Sequence, residues 1–351
     1  MKNISFKLII LVAIITGSTG CQNQPWEFDD FDYTSVYFPW SFPVRTLVLG
    51  DCNYDNTTDK NHQFVISAAM GGVYKNKENI LVDFVVDPIL LNNLYFGDST
   101  QAKILPANYY TLSNTEQITI PNGKFNGGVT VSLTDAFFQD PEACVTRYVL
   151  PLRILSTTAD SVLTGNADES VANPDRRVVS NWKKAPMDFT LFSVKYINAY
   201  HGNYLLRGKT QTKNVAGDNV GFPASYGYGK YGYVEEGLIT PLITKSLTSI
   251  EYTQQVQVPN GTSPGTYSVK LTIDPTTNNV TVAKKDGSDF DIQGTGKFVK
   301  DGQEWGGKKR NALFLNFEIN ANSNKYIVQD TLVYRDNMVK VEEFTPIILI
   351  K

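Results

Sequence analysis

The second half of the chain contains the stretch Lys270-Leu-Thr-Ile-Asp-Pro-Thr-Thr-Asn-Asn-Val-Thr-Val282, which decides the fold class. Apolar and polar residues alternate in 270–273 and again in 280–282, as they do in strands that bury one face. Residues 274–279, which lie between these runs, are almost all turn formers. The stretch therefore predicts two antiparallel strands joined by a short turn.

The same alternation recurs along the chain, for example in Val129-Thr-Val-Ser-Leu133 and in Tyr326-Ile-Val328. Clusters of turn formers separate such runs at 121–123, 126–128, 259–261 and 286–287. Hairpins and meanders of antiparallel strands are the connections that this spacing favours. We therefore expect a protein built mainly from strands.

Helix signals are confined to two short pieces. One begins with Asp87 as N-cap and Pro88 at the first helical position, and continues to Leu94. The other begins at Asp135 and covers residues 136–139. Strands do not alternate with long helices, as a parallel sheet would require, so the sequence predicts an all-β fold.

The length of 351 residues predicts two domains, at roughly 100–200 residues per domain. Residues 156–188 are polar and rich in turn formers, so we place the boundary in this region, near residue 186. Residues 35–186, including the linker, fit an immunoglobulin-like sandwich of two antiparallel sheets. Residues 187–351 fit an antiparallel β-barrel of the lipocalin or calycin kind, or a jelly roll.

Residues 1–20 have the pattern of a lipoprotein signal peptide. The apolar run 8–15 is far shorter than the roughly 20 residues of a membrane-spanning helix. Small residues at 17–20 then lead directly to Cys21, although Ser18 stands where such signals usually have an aliphatic residue. We predict cleavage before Cys21, diacylation of that residue, and an acidic tether at 21–34. The alternative is cleavage by an ordinary signal peptidase, which leaves a free thiol in a secreted protein.

Charge and composition argue against several classes of function. With 32 basic and 35 acidic residues, the formal net charge is -3, which gives no basic surface for nucleic acid. The chain has 2 His and 3 Cys residues, too few for the usual zinc, haem or iron–sulfur clusters, so we expect no metal and no cofactor. Cys52 and Cys144 would share an oxidising compartment, and the sequence leaves open a disulfide between them or two free thiols.

Several runs form a specific set that includes Met70-Gly-Gly-Val-Tyr-Lys-Asn-Lys77 and His201-Gly-Asn-Tyr204. The other runs are 36–50, 82–87, 108–112, 133–138, 194–198, 233–235, 294–298 and 305–307. Together they resemble Bacteroidota outer-membrane lipoproteins that pair an N-terminal adhesin-like domain of unknown function with a C-terminal β-barrel domain. A similar N-terminal domain also precedes some family 18 endoglycosidase modules. The resemblance implies a surface glycan-binding protein encoded beside a glycan uptake pair, and it brings no catalytic motif and no defined binding residues.

A glycan site should contain aromatic rings, because the apolar C–H face of a pyranose stacks on a ring while polar side chains bind its hydroxyls. The densest candidates are Tyr226, Tyr228, Tyr231 and Tyr233, separated by glycines in 226–236. In an extended strand Tyr226 and Tyr228 point to one face. The alternative is an aromatic ladder or a loop that serves no ligand.

Two tryptophans receive different interpretations from their neighbours. Trp305 is followed by two glycines and preceded by a glutamate, so we expect it on a loop and include it as a candidate for sugar contact. Trp40 lies in an alternating aromatic run, and we therefore expect it in the core.

Carboxylate spacing argues against a glycosidase. Asp83 and Asp87 share a strand face, but Pro88 marks the end of that strand and makes Asp87 a helix cap. Glu235 and Glu236 are adjacent, so in a strand they face opposite sides and cannot flank one glycosidic bond. We therefore expect a non-catalytic lipoprotein that binds glycan at the outer membrane for a neighbouring uptake transporter pair. The alternative is a structural or adhesive protein-interaction module.

Overall fold

The computed structural model describes residues 29–228, 237–258, 263–321 and 323–349. Within these ranges, none of the helices has the length and apolar character needed to cross a membrane. The described chain is all-β, as the sequence predicts, with a sandwich followed by a closed antiparallel barrel.

The sandwich region contains fourteen strands among its described residues. They are β1 (Ser35–Tyr37), β2 (Pro43–Val48), β3 (Gln63–Gly71), β4 (Ile80–Val86), β5 (Leu94–Tyr95), β6 (Lys103–Ile104), β7 (Tyr110–Leu112), β8 (Gln117–Ile120), β9 (Asn126–Leu133), β10 (Tyr148–Thr157), β11 (Ser161–Val162), β12 (Asn166–Ala167), β13 (Trp182–Lys184) and β14 (Phe189–Ile197). Short helices connect them: α1 (Thr57–Lys60), α2 (Asp135–Gln139) and the 3₁₀ turns Pro88–Leu91, Ala107–Tyr109, Pro141–Cys144 and Val179–Asn181.

Both predicted helices are present in some form. The helix α2 occupies the expected residues. The helix expected to begin at Asp87 is a single 3₁₀ turn, Pro88–Leu91, and ends before Leu94, which starts β5. The Asp87 side chain accepts from the amide of Ile89 at 3.2 Å, in the role of the predicted cap.

Two sheets pack face to face in the first domain. One has the strand order β11-β1-β3-β9-β7, and the other includes the order β2-β14-β10-β4-β8. Inward side chains alternate along β3, where Phe64, Ile66 and Ala68 are buried. Because β14 pairs in parallel with β2 and antiparallel with β10, the sandwich continues past residue 186, where the sequence suggested the boundary.

The second domain is a barrel of long antiparallel strands. They are β15 (Gly202–Lys213), β16 (Asn219–Tyr226), β17 (Leu238–Thr244), β18 (Ser249–Gln255), β19 (Thr266–Ile273), β20 (Asn279–Lys284), β21 (Asp291–Trp305), β22 (Lys308–Ala321) and β23 (Asn324–Asp336). The hairpin predicted from residues 270–282 is β19 and β20, with Ile273 opposite Val280. Eight described strands, β15 and β17 to β23, close the barrel where β15 pairs with β23, while β16 extends the edge of β15 beyond β17.

The end of the chain returns to the sandwich. Strand β24 (Glu342–Glu343) pairs with β2, and β25 (Ile347–Ile348) pairs with β5. At the junction of the two domains the side-chain amide of Asn198 donates to the carbonyls of Ser246 and Ser249, at 2.8 and 2.9 Å. These contacts hold the connection between β17 and β18 of the barrel against the residue that follows the last strand of the sandwich.

Candidate functional site

A groove of about 840 Å³ opens beside β2, β3 and β14, next to the segment that leads from the barrel to β24. Two large aromatic side chains line it and remain open to solvent: Trp40 is 53% exposed and Tyr54 is 49% exposed. A third ring, that of Phe192, also lines the groove and stacks on Phe64 with the ring centroids 5.3 Å apart. The groove thus presents aromatic surface both at its opening and in its wall.

The expectation that Trp40 lies in the core is wrong. Val36 and Phe38 are buried, as the two-residue alternation predicts. Strand β1 nevertheless ends at Tyr37, and Pro39 comes two residues later. Proline has no N–H for a ladder hydrogen bond, so the chain turns there and the two-residue period stops. Trp40 therefore leaves the core and joins the groove. The proline one residue before it is the signal that could have indicated this.

Tyr54 sits on a loop that is held from both sides. The buried Asn56 side chain donates to the carbonyls of Val48 and Gly50, at 2.8 and 2.7 Å. The buried carboxylate of Asp59 accepts from the amide of Val48 at 2.9 Å and pairs with Arg45. Because these polar groups are satisfied internally, the loop keeps the Tyr54 ring at a fixed place on the groove.

The hydrogen-bonding groups of the groove are mostly neutral. Thr46, Ser67 and Asn126 line it, and none of their side chains bonds to another residue of the described ranges. Among the charged lining residues, Arg45 pairs with Asp59 and Glu342 accepts from Lys195 at 2.8 Å, whereas Lys340 has no ion pair within the described ranges. Exposed rings beside unbonded hydroxyl and amide groups match what an uncharged sugar requires.

Tyr226 and Tyr228 do not share a face, contrary to the sequence-based expectation. Strand β16 ends at Tyr226, and Gly227 follows with a φ of +80°. A Cβ atom on Gly227 would lie 1.9 Å from the carbonyl oxygen of Leu206, so only glycine fits this turn. Tyr226 points into the barrel, whereas Tyr228 is 51% exposed on its outer wall.

Inside the barrel, Tyr226 contacts a buried acid, Asp330, which a search of the sequence for clustered aromatic residues does not single out. The Tyr226 hydroxyl donates to one oxygen of Asp330, and the Tyr252 hydroxyl donates to the other at 2.9 Å. Asp330 is 2% exposed. Burial raises the pKa of Asp330 to about 6, against hydrogen bonds from Tyr226, Tyr252 and Tyr267 that lower it. Tyr226 therefore serves the barrel core rather than a surface ligand. The alternation Tyr326, Val328, Asp330 along β23 already places this acid inward.

The remaining sequence candidates lie apart from the groove or outside the described residues. Trp305 ends β21 before a tight turn at Gly306 and Gly307, and the Arg310 guanidinium lies 5.1 Å from its ring centroid. It does not line the groove. Tyr231, Tyr233 and Cys21 lie outside the described residues.

Both cysteines of the sandwich are free thiols in the structure. The Cys52 thiol donates to the carbonyl of Tyr54 at 3.1 Å. Cys144 packs against the sandwich core, and burial raises the pKa of its thiol. A raised pKa at Cys144 is the opposite of the lowered value that marks a nucleophilic thiol. In the described part of the chain, no group of three or more His, Cys, Asp or Glu side chains is arranged to hold a metal ion.

Two family models match the chain. The model of a domain of unknown function, DUF5627, matches residues 199–338, and a model for an N-terminal domain matches residues 31–161. No curated protein matches the chain.

Among solved structures, a structural-genomics protein of unknown function from Bacteroides ovatus is 35% identical, with a TM-score of 0.82 over 90% of this chain and 99% of that one. The chain belongs to the family of this protein. Because the match covers 90% of this chain, the similarity extends over both the sandwich and the barrel that the DUF5627 model matches.

More distant structures are also similar. A multidomain protein including DUF1735 from Bacteroides ovatus is 12% identical, with a TM-score of 0.44 over 89% of this chain and 100% of that one. An auxiliary nutrient binding protein from Bacteroides thetaiotaomicron is 15% identical, with a TM-score of 0.39 over 83% of this chain and 90% of that one.

Proposed function

We propose that this family member is a glycan-binding protein and that the groove beside Trp40 and Tyr54 holds the sugar chain. The observation that carries the proposal is the presence of two half-exposed rings in one groove with unbonded neutral polar side chains. Each pyranose has an apolar face for a ring and equatorial hydroxyls for Thr46, Ser67 and Asn126. A groove of about 840 Å³, open to solvent, accommodates a few sugar residues of a longer chain.

As a second part of the proposal, Cys21 tethers the protein to the outer membrane through its acyl chains. The apolar run 8–15, the small residues 17–20 and Cys21 support this part of the proposal. Two or more acyl chains give stable anchoring, since each buried methylene contributes about 0.8 kcal/mol. The tether at 21–34 would then place the groove beside a neighbouring uptake or degradation system.

The proposed role is capture without catalysis. Two of the four carboxylates considered for a glycosidase have partners in the fold: Asp83 accepts from Gln117 and Ser156, and Asp87 pairs with Arg153. The other two, Glu235 and Glu236, lie outside the described residues. No carboxylate pair lines the groove, where Glu342 is the one acid among the described lining residues. Open sites of this kind are typical of affinities between millimolar and micromolar, about 4–8 kcal/mol.

A second role, as an adhesive or structural module, is favoured by one feature of the barrel. The hairpin of β15 and β16 exposes apolar side chains to solvent, with Phe222 at 87% and Val215 at 84% exposure. Exposed apolar side chains of this size are typical of contact surfaces between proteins. Pull-down from outer membranes with the wild type and with Phe222→Ser would test this role: recovery of a porin-like partner that is lost in the variant supports it.

The test of glycan binding is retardation of the purified protein in native gels that contain soluble polysaccharides, with mannans and host N-glycans in the panel. Retardation by at least one polysaccharide, lost in Trp40→Ala, is the expected result. No retardation by any member of the panel contradicts the proposal. Release of new reducing ends by the pure protein would contradict the non-catalytic part.

A further inference from the structure

A second cavity, of about 370 Å³, lies on the outer wall of the barrel. Strands β16, β15, β23 and β22 run side by side there. Two cationic side chains, Arg207 and Lys209, line the cavity, together with the exposed ring of Tyr228. Its lining is more cationic than that of the groove in the sandwich, where Arg45 and Glu342 are ion-paired.

The strand register brings polar side chains into a row across this wall. Lys209 lies opposite Gln329, and Gln329 lies opposite Asn316 on the next strand. In the adjacent row Arg207 lies opposite Thr331. Because the pairing of the strands fixes the row, hydrogen-bond donors face one place from three neighbouring strands.

The Arg207 guanidinium is positioned without a counterion among the described residues. Its central carbon lies 5.3 Å from the centroid of the Tyr228 ring, a cation–π contact that holds the side chain against the wall. Its Nε atom is buried and has no hydrogen-bond partner among the residues that the structure describes. A guanidinium offers five N–H donors in a plane, and a donor buried without an acceptor is costly. An anionic oxygen in the cavity would pair with the part of the guanidinium that lines it.

The acid beneath the cavity does not neutralise these cations. Although Asp330 contributes to the cavity floor, its carboxylate points into the barrel and accepts from the hydroxyls of Tyr226 and Tyr252. Lys209 likewise forms no ion pair within the described ranges. The wall therefore presents two positive charges without an ion pair in the described part of the chain, beside one exposed aromatic ring.

We propose that this cavity binds the anionic group of an acidic sugar, a carboxylate or a sulfate, with the sugar ring against Tyr228. Arg207 binds the anion through its N–H donors, and Lys209 adds a second charge. Asn316 and Gln329 bind the ring hydroxyls. This inference goes beyond the groove of the proposed function and does not depend on it, because the two sites share no lining residue.

The test compares methyl β-D-glucuronide with methyl β-D-glucoside by ligand-observed NMR titration of the full purified protein. The two differ only at C6, which is a carboxylate in the glucuronide and a hydroxymethyl group in the glucoside. We expect the glucuronide to bind at least about fivefold more tightly and added salt to weaken it. Arg207→Gln should lower glucuronide affinity about tenfold. The control is Lys213→Gln, which removes the same charge from the same strand but lies outside the cavity.

Several outcomes would overturn the inference. If the two glycosides bind equally tightly, the cavity does not recognise the anionic group. If Lys213→Gln weakens glucuronide binding as much as Arg207→Gln does, the effect comes from the overall charge of the protein and not from this cavity. If inorganic sulfate binds as tightly as the glucuronide, the cavity is a general anion site and does not recognise a sugar. In Trp40→Ala the preference for the glucuronide over the glucoside should persist even where binding at the groove is lost, so failure at this cavity and failure at the groove are separate results.

Discussion

Gly208 and Asp330 lie opposite each other where β15 and β23 close the barrel. A Cβ atom on Gly208 would lie 2.3 Å from Oδ1 of Asp330 and 2.6 Å from the Tyr226 hydroxyl. The missing side chain therefore leaves the space in which the acid and the phenol meet. A buried carboxylate is tolerated only when it is hydrogen-bonded, so this one glycine supports the polar centre of the barrel.

Gly208→Ala should destabilise the barrel, because the added methyl group collides with Asp330 and Tyr226. Overpacking of this kind costs about 1–3 kcal/mol. Thermal unfolding followed by circular dichroism measures the effect. The matched control is Gly97→Ala, since a Cβ there meets nothing within 4 Å. Equal melting temperatures for wild type and Gly208→Ala would contradict the packing described.

Asp330→Asn should change how stability depends on pH. Burial raises the pKa of Asp330 to about 6 in the folded state, from an ordinary value of 3.8. The protonated form is then favoured by folding, so its contribution is full below about pH 4 and is lost as pH rises to about 6.

Denaturant unfolding at several pH values checks this prediction. The stability of the wild type relative to Asp330→Asn should fall across that window, by on the order of 2 kcal/mol. A difference between the two proteins that stays constant from pH 4 to pH 7 would show that Asp330 is ionised in the folded barrel throughout.

His201 should produce the opposite trend at the domain junction. The amide of Thr244 donates to Nδ1 of His201 at 3.1 Å, which requires that nitrogen to be unprotonated. Burial, with a smaller contribution from the charge of Lys195, lowers the pKa of His201 to about 4. The contribution of neutral His201 is therefore full above about pH 6.5 and is lost as pH falls towards 4.

His201→Gln keeps an acceptor but cannot take up this proton. Between pH 7 and pH 5 the variant should lose less stability than the wild type, as measured by denaturant unfolding. Identical slopes for both proteins would mean that His201 is not held neutral by the fold.

Cys21→Ser should release the protein from the membrane. In cells, the wild type should fractionate with outer membranes and carry an acylated first residue by mass spectrometry, since diacylation gives stable anchoring. The serine variant should be soluble or retain its signal peptide. An unmodified Cys21 or an uncleaved terminus in the wild type would contradict the lipoprotein assignment.

The sequence predicts much of the local structure because the alternation of apolar residues is a local signal. The runs around 129–133, 270–273, 280–282 and 326–328 all lie in strands of the structure. The parallel pairing of β2 with β14 joins residues far apart in the chain, and no local period contains it. For this reason the composition of the sequence does not predict where the sandwich ends.

The candidate site was harder to predict, because single backbone turns decide where side chains point. Pro39 ends β1 and moves Trp40 to the surface, and Gly227 separates Tyr226 from Tyr228. Tyr228 does line a cavity, but its partners, such as Arg207, come from a strand whose register the sequence does not give. Aromatic density alone therefore indicated a region of interest without distinguishing a core ring from an exposed one.

The most direct test of the central claim is the affinity of a retarding polysaccharide for Trp40→Ala, with Trp305→Ala as the matched tryptophan control. Loss of a stacking ring at the centre of a site usually costs more than about 1 kcal/mol, so Trp40→Ala should weaken binding at least about fivefold. Trp305 lies outside the groove, and its variant should bind as the wild type does. Unchanged binding by Trp40→Ala, or loss of binding only in Trp305→Ala, would contradict the assignment of the groove.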